Sequence, residues 1–327
     1  MSHWSVSAAA MLALTLAPSV VPPVAPQQAS QAPATQGSSQ TGVPIYRVET
    51  RLINVPVNVT DAHGVAVPDL QQSDFIVRED GKLQKIALFE RESATPLSIE
   101  MAVDTSGSVL SQMKTEKEAA KQFARDILRE QDEMGLIGFS DESEELVSFT
   151  NDPKRIEQGL NHLSKGDDTA LYNAIYVASE RLGQAKPDAE RRRILVLVTD
   201  GGDNPIKREM SYSKAIEQAQ RAGAAIYPII IVPILADAGR DVAGEHALIQ
   251  MANDTGGKYF YVTDREDLKT AFAHLSDALR TQYLLGYYAP RRGKDTSFRR
   301  IDVSLTDAAV KASAHLRYRT GYYADAR

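Results

Sequence analysis

The chain has 327 residues, enough for about two domains, with 43% hydrophobic residues and a formal net charge of −6. The apolar content argues against general disorder. The acidic balance, with no basic run longer than Arg191-Arg192-Arg193, argues against a nucleic-acid-binding face. The absence of cysteine excludes disulfides, thiolate metal sites and cysteine nucleophiles, and in an exported chain it points to a bacterial source.

Residues 1–43 do not read as a folded domain. Ala8 to Ala17 (AAAMLALTLA) is an apolar run too short for a bilayer span of about 20 residues, and Pro18, Pro22 and Pro23 stop it. It fits the apolar stretch of a secretory signal, with Ala32-Pro33-Ala34 as a small-residue cleavage site, although no Lys or Arg precedes it. An uncleaved anchor is the alternative, and would be the chain's one membrane contact. Gln27 to Gly42 reads as a flexible linker. Over 44–96 the rhythm is β: Ile53, Val55, Val57 and Val59 alternate, Asp61 to Gly64 marks a turn, and Asp80-Gly81 marks a hairpin.

From Leu97 to Thr281 strands and helices alternate. LSIEMAVD (97–104) reads as a buried strand, and Met113, Ala120, Phe123, Ala124 and Ile127 as one face of a helix. Strands are expected at 134–140, 144–150 (antiparallel), 194–200, 224–234 and 258–262, and helices at 153–163, 170–182, 210–222, 243–252 and 268–279. This order predicts an α/β fold, a doubly wound and mostly parallel sheet whose ligands bind at the carboxyl ends of its strands. Over 282–327 the β pattern returns, in YLLGYYA, in Ile301, Val303 and Leu305, and in Val310, Ala312, Ala314 and Leu316. The economical arrangement is one small β-sandwich built from both terminal segments, with the α/β domain inserted in it; two separate small sheets are the alternative.

MAVDTSGSV (101–109) sets Asp104, Ser106 and Ser108 at alternate positions at a strand end. Thr169, in GDDTALYNAI, precedes a predicted helix, and Asp200, in VLVTDGGDN, ends a predicted strand. Together they are a set of hard oxygen donors of the kind Mg²⁺ or Mn²⁺ takes. With hydroxyls outnumbering carboxylates, such a set leaves a cation under-neutralised. A partner protein's Asp or Glu could then complete its coordination. The competing reading is that Asp104, Ser106 and Ser108 cap the next helix, which suits an isolated Asp-x-Ser-x-Ser better than one accompanied by Thr169 and Asp200. Asp167, Asp168 and Asp203 read as loop solvation or as support around the ligands.

DTSGS, DDTALYNAI and VTDGGDN resemble the three motifs of the metal-ion-dependent adhesion site of von Willebrand factor A-type domains, over about Leu97 to Arg280. That resemblance implies Ser106, Ser108 and Thr169 as direct ligands, and Asp104 and Asp200 as ligands acting directly or through water. VPVNVTDAHGVAVPDLQQSDFIVREDGKLQKIALF and the closing RYRTGYYA resemble the exported bacterial proteins grouped as the von Willebrand factor A-related acidobacterial family.

Other chemistry finds less support. Ser111-x-x-Lys114 and Ser211-x-x-Lys214 have the spacing of serine acyl-enzymes but none of the accompanying motifs. No phosphate-binding glycine loop indicates nucleotide use, and the six histidines show no zinc spacing. Tyr283, Tyr287, Tyr288, Tyr318, Tyr322 and Tyr323 read as strand packing before a carbohydrate platform. The expectation is therefore a non-enzymatic, metal-dependent protein-binding module, exported to the periplasm or beyond. A structural role with a purely stabilising metal, and a metal-dependent hydrolase, are the alternatives.

Overall fold

The computed structural model describes residues 50–91, 95–106, 113–185, 191–205, 210–232, 241–290, 295–307 and 313–326. The apolar run at 8–17, the linker, Ser108 and Ser111 lie outside them. The first strands are β1 (Thr50–Thr60), β2 (Phe75–Glu79), β3 (Lys82–Gln84) and β4 (Ile86–Glu90). The alternation read in β1 holds, with Ile53, Val55, Val57 and Val59 all buried. The turn after it forms because the Asp61 carboxylate accepts the backbone N–H groups of His63 (2.8 Å) and Val65 (2.9 Å). The β2–β3 hairpin turns at Asp80 and Gly81, both at positive φ.

The α/β region contains β5 (Leu97–Asp104), α1 (Met113–Ile127), β6 (Glu133–Phe139), β7 (Ser143–Thr150), α2 (Pro153–Asn161), α3 (Leu171–Gln184), β8 (Arg192–Thr199), α4 (Tyr212–Ala222), β9 (Ala224–Ile231), α5 (Val242–Thr255), β10 (Phe260–Val262) and α6 (Arg265–Arg280). Six strands form one sheet in the order β10-β9-β8-β5-β6-β7, parallel except for β7. Every residue of β5 and β6 is buried, as continuous apolar runs require when helices cover both faces. Leu97, Ile99, Met101 and Val103 pack with α1, α2 and α6; Ala102 packs on the opposite face with α3, α4 and α5. Helix α5 runs past its expected end to Thr255, where Gly256 at φ 81° stops it. Among the described residues no helix is long and apolar enough to cross a membrane.

Strands β11 (Tyr283–Pro290), β12 (Phe298–Leu305), β13 (His315–Arg317) and β14 (Gly321–Tyr323) follow. They join the first four in two sheets, β13-β1-β11-β4 and β14-β12-β2-β3. Residues of both sheets share one core, in which Ile53, Val57, Tyr283 and Leu285 pack with Phe75, Val77, Ile301 and Val303. Strand β1 pairs antiparallel with β11 from Thr50↔Pro290 to Val57↔Tyr283. The alternation expected across Val310 to Leu316 yields only the short β13, Val310 and Ala312 lying outside the described residues.

The tyrosines in this core have tethered hydroxyls. Tyr283 donates to the Val67 carbonyl at 2.8 Å, and Tyr287 and Tyr322 each donate to Glu79 at 2.8 Å. Packing therefore explains these three rings, while Tyr288 is exposed. The Arg191-Arg192-Arg193 triplet departs from the solvated edge its charge suggests. It opens an interior strand, so Arg192 is 5% exposed and donates to the Leu279 carbonyl at 2.6 Å and to Gln282.

Candidate metal centre

After β5 the chain winds through β6 to β7, and after β8 it winds the other way to β9 and β10. The strand order reverses between β5 and β8, and at that point the diverging loops leave a crevice at the carboxyl ends of the strands. Asp104 ends β5 and Asp200 follows β8 directly, so both lie on this crevice.

Asp104 is fully buried. Its Oδ2 accepts the Thr199 hydroxyl at 2.6 Å, across from the neighbouring strand, and its Oδ1 accepts the Ser106 N–H at 2.9 Å. The carboxylate thus ties β5 to β8 and to its own loop; the residues between Ser106 and Met113, on which the helix-cap reading falls, lie outside the described ones. Burial pushes its pKa up to about 6 against the opposing hydrogen bonds from Thr199 and Ser106, and the charge of Asp200 raises it further. Ser106 is buried at 2% exposure and Thr169 at 4%. Asp200 is half-buried, and its Oδ1 accepts the Gly202 N–H at 3.2 Å.

Hydrogen bonds between loops hold Thr169 beside this pair. Its carbonyl accepts the Asn204 N–H at 2.9 Å, which ties it to the loop carrying Asp200. Helix α3 has Ala170 at its N-cap, with no capping side chain of its own; Asp203, from the same loop as Asp200, accepts the Tyr172 N–H at 3.4 Å in its first turn. Gly166 donates to the Thr105 carbonyl at 3.0 Å, and Ala170 donates to the Ser140 carbonyl at 2.7 Å. Asp168 donates its N–H to Asp141 at 3.1 Å and accepts from the Asn204 side chain at 3.4 Å. Asp168 and Asp203 therefore support the loops, as one of their two sequence readings held.

The described residues thus gather Asp104, Ser106, Thr169 and Asp200 around one strand-end crevice, while Ser108 lies outside them. Thr199, Ser140, Asp141 and Asn204 were assigned no role from sequence. Thr199 stands inside the quoted VTDGGDN, and a hydroxyl beside a strand-terminal Asp was the available signal. Among the described residues no group of three or more His, Cys, Asp or Glu could hold a metal. A site made largely of hydroxyls does not contain such a group. The donor chemistry nonetheless fits a hard divalent cation, because two carboxylates and two buried hydroxyl residues, all oxygen donors, come from loops that meet at this crevice.

The first turn of α5 braces the Asp200 loop from below. Gly201 has φ 93°, and a Cβ on Gly244 would lie 1.8 Å from the Gly201 carbonyl oxygen. Gly244→Ala must displace that loop or the helix, at a cost of about 1–3 kcal/mol. Thermal unfolding with and without Mg²⁺ checks this. The expected result is a lower midpoint together with a smaller Mg²⁺-induced rise.

Residues 100–202 match the family model for the von Willebrand factor type A domain. The chain is 26% identical over 202 residues to the magnesium-chelatase 67 kDa subunit of Chlorobaculum tepidum, an alignment covering 59% of this chain and 32% of that protein. The chain thus spans about a third of the length of the curated relatives it first matches. Among solved structures it is similar to a von Willebrand factor type A protein from Catenulispora acidiphila (13% identity, TM-score 0.48, covering 83% of this chain and 73% of that one). It is also similar to the vWF domain of the type V pili tip protein Mfa5 from Porphyromonas gingivalis (14% identity, TM-score 0.47, covering 57% and 96%). By the family match, the chain carries a von Willebrand factor type A domain at residues 100–202.

Proposed function

We propose that this chain is an exported, non-enzymatic recognition module that binds a partner protein through a divalent cation, Mg²⁺ or Mn²⁺, held by Asp104, Ser106, Ser108, Thr169 and Asp200. The observation that carries the reading is that Asp104, fully buried at the end of β5, and Asp200, directly after β8, share the strand-end crevice with the buried Ser106 and Thr169. When bound, the cation supplies a Lewis-acidic position for a carboxylate oxygen of the partner's Asp or Glu. The chain's own residues do the rest. Thr199 and Ser106 fix the Asp104 carboxylate, and Asn204 and Asp203 fix the loop that presents Thr169. At most two of the five side chains carry charge, so the donor set does not over-neutralise a doubly charged ion and leaves it attractive to an outside anion.

Within this proposal the domains are a signal and linker at 1–43, sandwich segments at 44–96 and 282–327, and the A-type domain at 97–281. The apolar run Ala8 to Ala17 supports export to the periplasm or the cell exterior.

The test is capture of proteins from the native cell envelope on the immobilised chain, with Mg²⁺, with chelator, and with Asp104→Ala. Capture of one protein in Mg²⁺, lost in both other arms and lost again when that protein's contacting Asp or Glu is made Ala, is the expected result. A binding partner retained in all three arms overturns the metal-dependent reading.

A further inference from the structure

At the opposite end of the parallel sheet from the candidate metal centre there is a cavity of about 540 Å³, within the range of small-molecule sites. It lies between the starts of β8 and β9 on one side and β1 and Gln282 on the other. Its walls carry Arg51, Arg191, Arg192, Arg193, Arg221 and Arg319 and, among the described residues, no Asp or Glu. We propose that this cavity binds a compact small molecule bearing two or more oxyanion groups, of the diphosphate or polycarboxylate class.

The alternative is that these arginines only serve the fold, and part of their hydrogen bonding does. Arg191 donates to the Leu97 and Gln131 carbonyls at 2.9 Å each, Arg192 to the Leu279 carbonyl, and Arg193 Nε to the Leu182 carbonyl at 2.9 Å. Arg221 pairs with Glu217 and Asp325. The carboxyl-terminal ends of α3, α4 and α5 also line the cavity, and each contributes about half a negative charge. Three such ends offset roughly one and a half charges, against the four guanidinium groups left once Arg221 and Arg51, which donates to the Ala326 carbonyl, are set aside.

The excess falls on atoms without partners. Among the described residues the Nε groups of Arg191, Arg192 and Arg319 are shielded from solvent and make no hydrogen bond. Arg319 has a cation–π contact with Tyr322 (5.6 Å to the ring centroid), a ring that Arg51 also approaches at 5.9 Å. Glu79, a carboxylate near Arg51 and Tyr322, already accepts the hydroxyls of Tyr287 and Tyr322. Burial lowers the Arg192 and Arg319 pKa values to about 10, with Arg51 adding repulsion at Arg319. Among the described residues neither Arg192 nor Arg319 is ion-paired with a carboxylate, Asp132 acting on Arg192 without contact; such shielded guanidinium charge is costly, and a planar fork of donors suits bidentate contact with a phosphate or carboxylate.

The test is isothermal titration of the full chain, stripped of metal and exchanged into metal-free buffer without chelator, with inorganic pyrophosphate and, separately, with citrate, at matched ionic strength. Prior removal of metal keeps any cation at the other end of the sheet out of the measurement. Saturable binding of either probe near one per chain, weakened tenfold or more by Arg319→Gln or by Arg193→Gln, is the expected result. Pyrophosphate alone would assign phosphoryl groups, and citrate alone or both would assign the wider polycarboxylate class. Arg193 is half-buried, so its variant reports even where Arg319→Gln lowers stability. No saturable binding of either probe, or undiminished binding by both variants, overturns the proposal.

Discussion

Asp104→Asn is expected to abolish the thermal stabilisation that Mg²⁺ gives the wild-type chain. A ligand at 100 times its Kd adds about 2.7 kcal/mol to a folded protein. For a chain of this size that raises the unfolding midpoint by roughly 4–5 °C. Asparagine keeps the shape of the buried side chain and removes the charge that the cation needs. In chelator the order should reverse or vanish, and the Asn variant should be no less stable than wild type. Burial and the neighbouring Asp200 make an ionised Asp104 unfavourable until a cation compensates it. Scanning calorimetry on both chains, with and without metal, decides it. A Mg²⁺-dependent shift that survives in Asp104→Asn would rule the proposed centre out.

The second large effect is expected far from the crevice entrance, inside the sheet. Glu100, in the middle of β5, has no solvent exposure and meets Arg181 of α3, whose Nε donates to Oε2 at 2.9 Å. Arg181 also pairs with Glu145, donates to the Val147 carbonyl at 3.3 Å and stacks over Phe149. Gly135 on β6 makes room for the carboxylate, since a Cβ there would come within 2.7 Å of it. Burial pushes Glu100 up to about 8, against the opposing charge of Arg181.

The sign follows from that shift. The folded pKa lies above the ordinary 4.5, so the contribution to stability is complete below about pH 4.5 and is lost as pH rises through about 8. Arg181→Met removes the cation that Glu100 touches, and should cost about 3–5 kcal/mol near pH 9. At pH 6 the cost should be smaller, because there Glu100 keeps its proton. Adding Glu100→Gln to Arg181→Met should recover most of the loss at pH 9. Urea unfolding of wild type, Arg181→Met, Glu100→Gln and the double variant at both pH values tests this. A cost independent of pH, or no recovery in the double variant, would refute it.

The sheet and its helices were legible because their signals are local. Continuous apolar runs such as ILVLVTD can only be buried strands in a chain that alternates with helical periodicity, and the strand ends then place Asp104 and Asp200. Thr169 was legible as a helix-entry residue, and the three loops meet where their order in the chain predicts. What escaped the sequence was relational. Nothing local tells Arg192 that its strand will be interior, or tells Glu100 that Arg181 lies one layer away. The hydrogen bonds from Thr199 to Asp104 and from Asn204 to Thr169 likewise exist only once β5, β8 and α3 have come together. Charge along a chain reads as solvent exposure unless the topology is already known.

The antiparallel pairing of β1 with β11 has a kinetic consequence. Ile53 must find Tyr287, a partner translated only after the whole intervening unit has emerged. Closing so long a loop in an unstructured chain is slow, and the search shortens once the intervening unit has compacted and brought its ends near one another. The terminal strands are therefore expected to assemble last. Until then β1 waits as an unpaired, Val-rich edge that is open to aggregation.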